Sequence, residues 1–198
     1  MLKKIVLYYN KCMLINDDTI IKDDNPLIRE KSFDVKTPLN EEDEKLLMDM
    51  LNYVKESTIE EIAKEKNLKP AVGISAIQVG INKKLTAIVI KDNEGKIINE
   101  YALANPKIVS YSLEKAYLKQ GEGCLSVKDF HEGLIYRPAR IKVKAYDAIN
   151  KKDITIKAAN YLAIVFQHEL DHFNGTLYYD HINKDNPMLI DTDAIAIE

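Results

Sequence analysis

Cysteine, arginine and long apolar runs are scarce in this 198-residue sequence, and tryptophan is absent. The two cysteines, Cys12 and Cys124, are too few for the disulfide framework of a small secreted protein, so a cytoplasmic location is expected. No stretch approaches the roughly 20 apolar residues that a membrane-spanning helix needs, so no membrane partner is expected. The first sixteen residues offer no small-residue cleavage site, and we expect them to form an edge element on the domain surface.

A strong excess of one charge is also lacking. The formal net charge is -3 and the isoelectric point is about 5.9, so the whole chain has no field that would attract nucleic acid directly. Internal repeats, low-complexity tracts and flexible linkers are absent as well. With 46% hydrophobic residues, the chain can fill one core. We therefore expect a single domain over residues 1–198.

The apolar pattern predicts an α+β fold. Residues 40–66 carry apolar side chains at steps of three and four, which is typical of a long amphipathic helix. Five short runs rich in β-branched and aromatic residues predict strands in hairpins, at 85–90, 101–111, 113–118, 141–146 and 154–156. A second helix is expected from a cap at Asn160 to Gly175, and residues 191–198 form a candidate closing strand. We expect antiparallel strands packed around this second, central helix, preceded by the long N-terminal amphipathic helix.

The second predicted helix contains His168-Glu169-Leu170-Asp171-His172, an H-E-x-x-H sequence. Residues four apart on a helix point the same way, so the two imidazoles can bind one metal ion with Glu169 beside it. Because the chain has only four histidines, this spacing favours a metal site over two histidines that merely decorate a helix face. The motif predicts a metal-dependent amide hydrolase in which Glu169 is the general acid and base.

The third metal ligand separates the possible hydrolase families, because catalytic zinc sites use three protein ligands and leave one position to water. A thermolysin-like protease would take a glutamate from a following helix, but the only glutamate after His172 is the terminal Glu198. A metzincin protease would need a histidine where Tyr178 stands. A zinc endopeptidase therefore lacks its third ligand in either form.

Cys124 is a candidate third ligand upstream of the histidines. It follows a predicted strand and lies beside Gly121 and Gly123, and such glycines often mark a close approach of backbone to something else. A lone cysteine can also be a small buried apolar residue. A further alternative is a binding module whose structural metal is closed by His131 or His181 as a fourth ligand.

Three motifs in a fixed order make the chain resemble the peptide deformylase family. The family pattern Gly-x-Gly-[Leu/Ile]-Ala-Ala-x-Gln is matched by residues 71–78, with Ala71 in place of the first glycine and Ser75 in place of an alanine. Glu-Gly-Cys-Leu-Ser stands unaltered at 122–126, and Gln-His-Glu-x-Asp-His at 167–172. Residues 25–29 also look like the family's entry segment. The insertion between Ser126 and Arg137 and the strand-like C-terminus resemble the longer class found in Gram-positive-type bacteria.

This resemblance implies removal of the formyl group from the formyl-methionine that begins nascent polypeptides, with release of formate. It implies one divalent metal ion, Fe(II) before Ni, Co or Zn, bound by Cys124, His168 and His172. Glu169 would move the protons. The side chain of Gln78 and the backbone N–H of Leu125 would stabilise the charge that develops on the formyl oxygen. Because all of these residues are present, a member that kept the fold and lost the activity is disfavoured.

The resemblance also implies contacts with the substrate, an N-formylmethionyl peptide. Three residues on the second helix are expected to line a slot for the methionine side chain, and backbone groups of two glycine-containing segments are expected to pair with the extended peptide. An ion pair between Glu122 and Arg137 is expected to support the site. The residues assigned to substrate binding are Val72, Gly73, Glu122, Gly123, Arg137, Tyr161, Ile164 and Val165. A transient visit to the ribosome is the other expected partnership.

Overall fold

The structure is a computed structural model that describes residues 14–198. Cys12 and the rest of residues 1–13 lie outside the described residues, and with them most of the expected N-terminal edge element. The helices are α1 (Glu41–Ser57), α2 (Glu60–Lys66) and α3 (Asn160–His172). The strands are β1 (Gly73–Ser75), β2 (Leu85–Lys91), β3 (Ile97–Tyr111), β4 (Lys115–Leu118), β5 (Arg137–Pro138), β6 (Arg140–Asp147), β7 (Lys152–Ala159) and β8 (Ile195–Ile197). Short 3-10 turns lie at Pro26–Arg29, Ala76–Val79 and Tyr178–His181.

The strands form two sheets, which makes the fold α+β as expected. A five-stranded antiparallel sheet has the order β1-β2-β3-β6-β7, and a three-stranded sheet has the order β5-β4-β8. The predicted closing strand is present as β8, but it pairs with β4 in parallel, Ala116 opposite Ile195. Parallel neighbours need a long connection, and the chain between β4 and β8 includes β6, β7 and α3.

Two apolar clusters lie on opposite faces of the five-stranded sheet. On one face, Ala87 and Val89 of β2 pack with buried residues of α1. On the other face, Ile88 and Ile90 pack with buried residues of α3. Successive side chains of a strand point to opposite faces, so a strand covered on both faces reads as a continuous apolar run. This explains the unbroken apolar character of residues 85–90.

The helix predicted over 40–66 is two helices. The break follows Ser57, which is fully buried and whose hydroxyl donates to Val54 O and accepts the backbone N–H of Ala71 at 3.1 Å. Beyond Val54 the large apolar residues up to Lys66 are Ile59, which is exposed, and Ile62, and α2 has no buried residue. Because α2 has little apolar surface to pack, the hydrogen bonds of Ser57 decide where α1 ends.

The start of α3 also differs from the prediction. Asn160 is the first residue of the helix, has a φ of 53° and makes no side-chain capping bond. Its backbone N–H donates to Ala139 O at 2.7 Å, so the end of β7 sets where the helix begins. The helix ends at His172, and Gly175 follows with a φ of 68° and its N–H bonded to His172 O.

The predicted strands are all present. Residues 85–90, 101–111, 141–146 and 154–156 fall within the longer strands β2, β3, β6 and β7, whereas the strand predicted at 113–118 is the shorter β4, which begins at Lys115. β1 and β5 were not predicted, because three and two residues are too few to show a period. Within residues 14–198, none of the helices combines the length and apolarity needed to cross a membrane.

Candidate active site

Three potential metal ligands meet where the last turn of α3 faces the loop after β4. The rings of His168 and His172 have centroids 5.3 Å apart, as one helical turn dictates. Cys124 Sγ lies 3.4 Å from His172 Nε2, and the three ligand atoms all lie within 4.8 Å of one another. A thiolate and two imidazoles at this separation suit a single divalent ion of the transition series.

The other two histidines are occupied elsewhere. His181 Nε2 lies 2.8 Å from Asp171 Oδ2, and the ring of His131 packs on Tyr179 with centroids 4.2 Å apart. Among residues 14–198, the potential metal ligands that lie close together are Cys124, His168 and His172. Neither His131 nor His181 joins the cluster, so a structural metal site closed by one of them is not formed by the described residues.

The electrostatics of the cluster favour a thiolate. Burial raises the pKa of Cys124, but the neighbouring imidazoles of His172 and His168 outweigh it and lower the pKa to about 5. Burial lowers the pKa of His168, and its contacts with Cys124 and Glu122 raise it well above the usual value. The pair thus holds a negative sulfur beside a positive ring. A metal cation can take the place of that proton, because thiolates and neutral imidazoles are the ligand forms.

Glu122 orients the first histidine. Its Oε2 lies 2.8 Å from His168 Nδ1, which leaves Nε2 of that ring free to face the cluster. Arg137 grips the same carboxylate with two bonds, Nε to Oε1 at 2.6 Å and Nη2 to Oε2 at 3.1 Å. Burial raises the pKa of Glu122, but His168 and Arg137 overcome this effect and lower the pKa to about 2. The expected ion pair is present and fixes a ring that can bind metal.

Arg137 occupies a different place from the one expected of a substrate-binding residue. Its side chain is only 5% exposed and lies behind Glu122, where Nη1 also bonds Asp171 Oδ2 at 2.9 Å. It lines a separate cavity on the far side of α3. A substrate contact by Arg137 does not fit this placement, because its donors are already used by two carboxylates. A series of hydrogen bonds from His168 through Glu122 and Arg137 to Asp171 supports the metal-ligand cluster.

Glu169 is buried beside the three ligands, with one carboxylate oxygen held and the other next to β1. Its Oε2 accepts a hydrogen bond from the hydroxyl of Ser75 at 2.8 Å. Its Oε1 lies where β1 approaches most closely, since a Cβ on Gly73 would come within 2.5 Å of it. Only glycine gives this carboxylate room. Burial raises the pKa of Glu169, which suits a group that both takes and gives a proton.

Gln78 and Leu125 flank the cluster on the opposite side. Gln78 Oε1 accepts the backbone N–H of Ser75 at 2.8 Å, so its amide Nε2 is turned towards Ser126 Oγ at 3.2 Å and Cys124 Sγ at 3.6 Å. The turn after Cys124 is held from outside by Lys22, whose Nζ donates to Leu125 O at 3.0 Å. Two fixed polar groups, one side chain and one backbone, thus border the metal-ligand cluster.

A cavity of about 500 Å³ opens in front of these groups. The expected site residues that line it are Val72, Gly73, Gln78, Glu122, Gly123, Cys124, Leu125, Tyr161, Ile164, Val165, His168 and Glu169. The three expected residues of α3, Tyr161, Ile164 and Val165, form an apolar stretch of its wall before the histidines. The wall also includes residues that sequence reasoning did not assign, namely Thr58, Lys69, Pro70, Ala71, Leu118 and Val127.

Three supporting residues were missed from the sequence. Ser75 was seen only as a departure from a motif, but it contacts both Glu169 and Gln78. Asp171 lies within the histidine motif, directly before His172, and this position could have indicated a role in supporting the ligands. Lys22 carries no sequence signal that points to Leu125, 103 residues away.

Comparison with known proteins gives one consistent result. The sequence model of the family described as "Polypeptide deformylase" matches residues 18–188. The chain is 44% identical to "Peptide deformylase 2" of Bacillus subtilis (strain 168) over 185 residues, 93% of this chain and 100% of the relative. It is 43% identical over 179 residues to "Peptide deformylase" of Macrococcus caseolyticus, covering 90% of this chain and 97% of that one. Among solved structures, peptide deformylase from Ehrlichia chaffeensis superposes with a TM-score of 0.66 at 32% identity, over 85% of this chain and 89% of that chain.

Proposed function

The chain belongs to the polypeptide deformylase family and removes the N-terminal formyl group from nascent polypeptides, and we propose that it does so with one divalent metal ion held by Cys124, His168 and His172. The observation that carries the proposal is the convergence of these three ligand atoms beside a cavity whose wall includes Cys124, His168 and Glu169. The donor chemistry fits the ion. The thiol of Cys124 has a lowered pKa, and Glu122 engages Nδ1 of His168 so that Nε2 is free.

Bound there, a divalent cation would supply a Lewis acid that activates water and polarises the formyl carbonyl at neutral pH. Glu169 accepts a proton from the attacking water and later delivers it to the nitrogen of the departing amine. Its burial excludes bulk water, and its raised pKa keeps it able to return the proton. Formate and a free N-terminal amine are the products.

Gln78 and Leu125 are proposed to stabilise the negative charge that develops on the formyl oxygen. Gln78 Nε2 donates, and Ser75 fixes it by holding the other end of the amide. The backbone N–H of Leu125 is the second donor. Fixed donors need no reorganisation as the charge forms, and removal of one typically costs about 10²–10³ in rate.

Substrate recognition is proposed to combine an apolar slot with backbone pairing. The wall of Tyr161, Ile164 and Val165 would contain the methionine side chain. β1 is an edge strand of the five-stranded sheet, so an extended peptide can lie against Val72 and Gly73 on one side and Gly123 on the other. Backbone pairing does not depend on side chains, so many sequences after methionine would be accepted.

Further features follow from the same proposal. We propose that the whole chain, residues 1–198, forms one catalytic domain with α3 as its central helix. The contacts of α3 with strands of both sheets support this proposal. Fe(II) is the proposed ion, although the ligand set also admits Ni, Co and Zn. The enzyme acts in the cytoplasm on N-formylmethionyl peptides and visits ribosomes transiently, because that is where such chains are made.

Formate release from a formyl-Met-Ala-Ser peptide tests the proposal. Protein purified anaerobically with Fe(II) or Ni(II) should release formate, and a Glu169→Ala variant should lose about 10²–10⁴ of the rate while keeping its metal. Formate release by metal-loaded wild type that the variant retains in full would overturn the role of Glu169. Metal bound equally well by a Cys124→Ala variant would overturn the ligand set. The same peptide without its formyl group is the control for endopeptidase activity, and it should remain intact.

A further inference from the structure

Four exposed lysines lie together on the five-stranded sheet, on three neighbouring strands. Lys107 is on β3, Lys142 and Lys144 are on β6, and Lys157 is on β7. The strand register places Lys107 directly opposite Lys144, and Lys142 directly opposite Lys157. Residues directly opposite in an antiparallel pair have Cβ atoms about 4.5–5.5 Å apart. We call these four residues the lysine face.

The four side chains share one side of the sheet. Ile141, Val143 and Ile156 are buried in the cluster that packs against α3, and each is adjacent in sequence to one of the lysines. Because side chains alternate along a strand, Lys142, Lys144 and Lys157 point to the opposite side. That is the side on which α1 packs, but α1 lies over β1, β2 and β3. The sheet beyond α1 is therefore left to solvent and to these lysines.

Fold stability does not account for this arrangement. Like charges directly opposite each other in a sheet are destabilising, and none of the four forms an ion pair with any residue of 14–198. Lysines on an edge strand can prevent aggregation, but only Lys157 is on the edge strand β7. Asp153, opposite Tyr146, is the acidic residue nearest in the register. Of the other eighteen lysines in residues 14–198, nine pair with carboxylates, namely Lys22, Lys55, Lys66, Lys69, Lys83, Lys84, Lys119, Lys128 and Lys151, so it is the direct opposition of the four lysines that sets them apart.

We propose that the lysine face binds the phosphate backbone of RNA and so brings the enzyme to the RNA-rich surface at which nascent polypeptides emerge. The purpose of this binding rests on the proposed function, whereas RNA binding by the four lysines does not depend on it. Four unpaired ammonium groups on a flat sheet match a row of phosphates better than one small anion. Lys142 and Lys157 also line a depression of about 350 Å³, which Arg140 borders as well.

The position of the lysine face leaves the active site open. Residues of α3 line the active-site cavity, and α3 packs on the side of the sheet opposite to the lysines. RNA bound on the lysine side would not cover the cavity wall that α3 forms. The net charge of -3 predicts no nucleic-acid contact only when charge is averaged over the whole chain. The proposal departs from that expectation because these lysines concentrate positive charge locally.

Binding of a fluorophore-labelled single-stranded RNA by the metal-loaded, full-length enzyme tests the proposal. Anisotropy is measured as a function of salt. Four phosphate contacts predict that log K falls with log salt with a slope of about -3, at about 0.7 per contact for single strands. Changing Lys107, Lys142, Lys144 and Lys157 to Glu should lower RNA affinity at least about 10-fold and remove most of the slope. The same four positions changed to Gln should give an intermediate loss, so that misfolding of the Glu variant does not decide the result.

The matched control changes four exposed lysines outside the lysine face, Lys36, Lys64, Lys96 and Lys184, to Glu and thus has the same net charge. This control should keep its RNA affinity within about 3-fold, because local contacts and not total charge carry the binding. An equal loss in the control, or wild-type binding that ignores salt, would overturn the proposal. So would binding to vesicles of anionic phospholipid, lost in the Glu variant, without binding to RNA. Formate release from free peptide should be the same in all variants, so a failure of the deformylase assignment is distinguishable.

Discussion

The hydroxyl of Ser75 lies 2.8 Å from Oε2 of Glu169, and the backbone N–H of the same serine donates to Oε1 of Gln78 at 2.8 Å. One fully buried residue thus touches both the proposed proton carrier and the proposed oxyanion donor. The hydroxyl engages only one carboxylate oxygen. The other, Oε1, lies beside Gly73 at the cavity, so it is the oxygen that we expect to exchange protons.

Although the family pattern has alanine at this position, the Ser75 hydroxyl holds the carboxylate in this chain, so a Ser75→Ala variant should have a kcat roughly 10-fold lower than wild type and an unchanged KM. The lost bond leaves the carboxylate of Glu169 free to rotate, and a hydrogen bond to a charged group is worth roughly 1.5–3 kcal/mol. KM should not change because Ser75 does not line the cavity. Steady-state formate release at several peptide concentrations separates the two constants.

Thr86→Val is the control for this prediction. The Thr86 hydroxyl lies 3.3 Å from Ser75 Oγ and donates to Ile74 O, but it has no bond to Glu169. The Thr86→Val variant should be less stable than wild type, with a kcat near the wild-type value. A Ser75→Thr variant, which keeps a hydroxyl, should retain most of the wild-type rate. A Thr86→Val variant as slow as Ser75→Ala would mean that general packing, and not the bond to Glu169, matters.

The parts of the site that could be predicted from sequence are those fixed by short spacings. His168, Glu169 and His172 fall on one helix, where an interval of four sets the geometry without tertiary information. The contact between Ser75 and Glu169 joins residues 94 apart, and that between Arg137 and Asp171 joins residues 34 apart. No periodicity along the chain encodes such contacts, so the ion pair of Arg137 with Glu122 was expected but its second bond, to Asp171, was not.

The same reasoning applies to the fold. The length and the β-branched and aromatic residues of β2 and β3 made these strands predictable from sequence, whereas β1 has only three residues and owes its pairing to β2. The end of α1 depends on the bond between Ser57 and Ala71, 14 residues later, which a helical pattern does not contain. The start of α3 at Asn160 depends in the same way on Ala139. Tertiary hydrogen bonds, not local preference, decided these boundaries.

Replacement of Arg137 by Met should destabilise the protein by about 3–5 kcal/mol. The change leaves Glu122 as a buried carboxylate without its cationic partner, and that cost is typical of breaking one side of a buried ion pair. The midpoint of urea unfolding measures it. Arg140→Met is the matched control three residues later, because Arg140 pairs with Glu114 at an exposed site and should cost less than about 1 kcal/mol. Equal midpoints for the two variants would contradict a structural role for the buried pair.

The stability of the protein should fall in acid through Glu122. Its pKa is about 2 in the folded protein against an ordinary value of 4.5, so folding favours the ionised form. The resulting stability is fully present above pH 4.5 and is lost as the pH falls towards 2. A Glu122→Gln variant should be less stable than wild type near neutral pH, and the gap should shrink through this window. Urea midpoints measured on chelator-treated protein avoid an added slope from metal release. A gap independent of pH would contradict the ion pair as its cause.

Gly73→Ala should lower kcat by about 10² while the protein keeps its metal, because the new Cβ would lie 2.5 Å from Glu169 Oε1 and the carboxylate has to move. Gly133→Ala introduces an equally close contact, 2.5 Å from Ile182 Cγ2, away from the cavity. That control should lose about 1–3 kcal/mol of stability, as overpacking does, with kcat unchanged. Formate release and metal content are measured for both variants. If Gly73→Ala were as active as Gly133→Ala, the carboxylate of Glu169 could work from more than one position, and its fixed place between Gly73 and Ser75 would not be a requirement of the reaction.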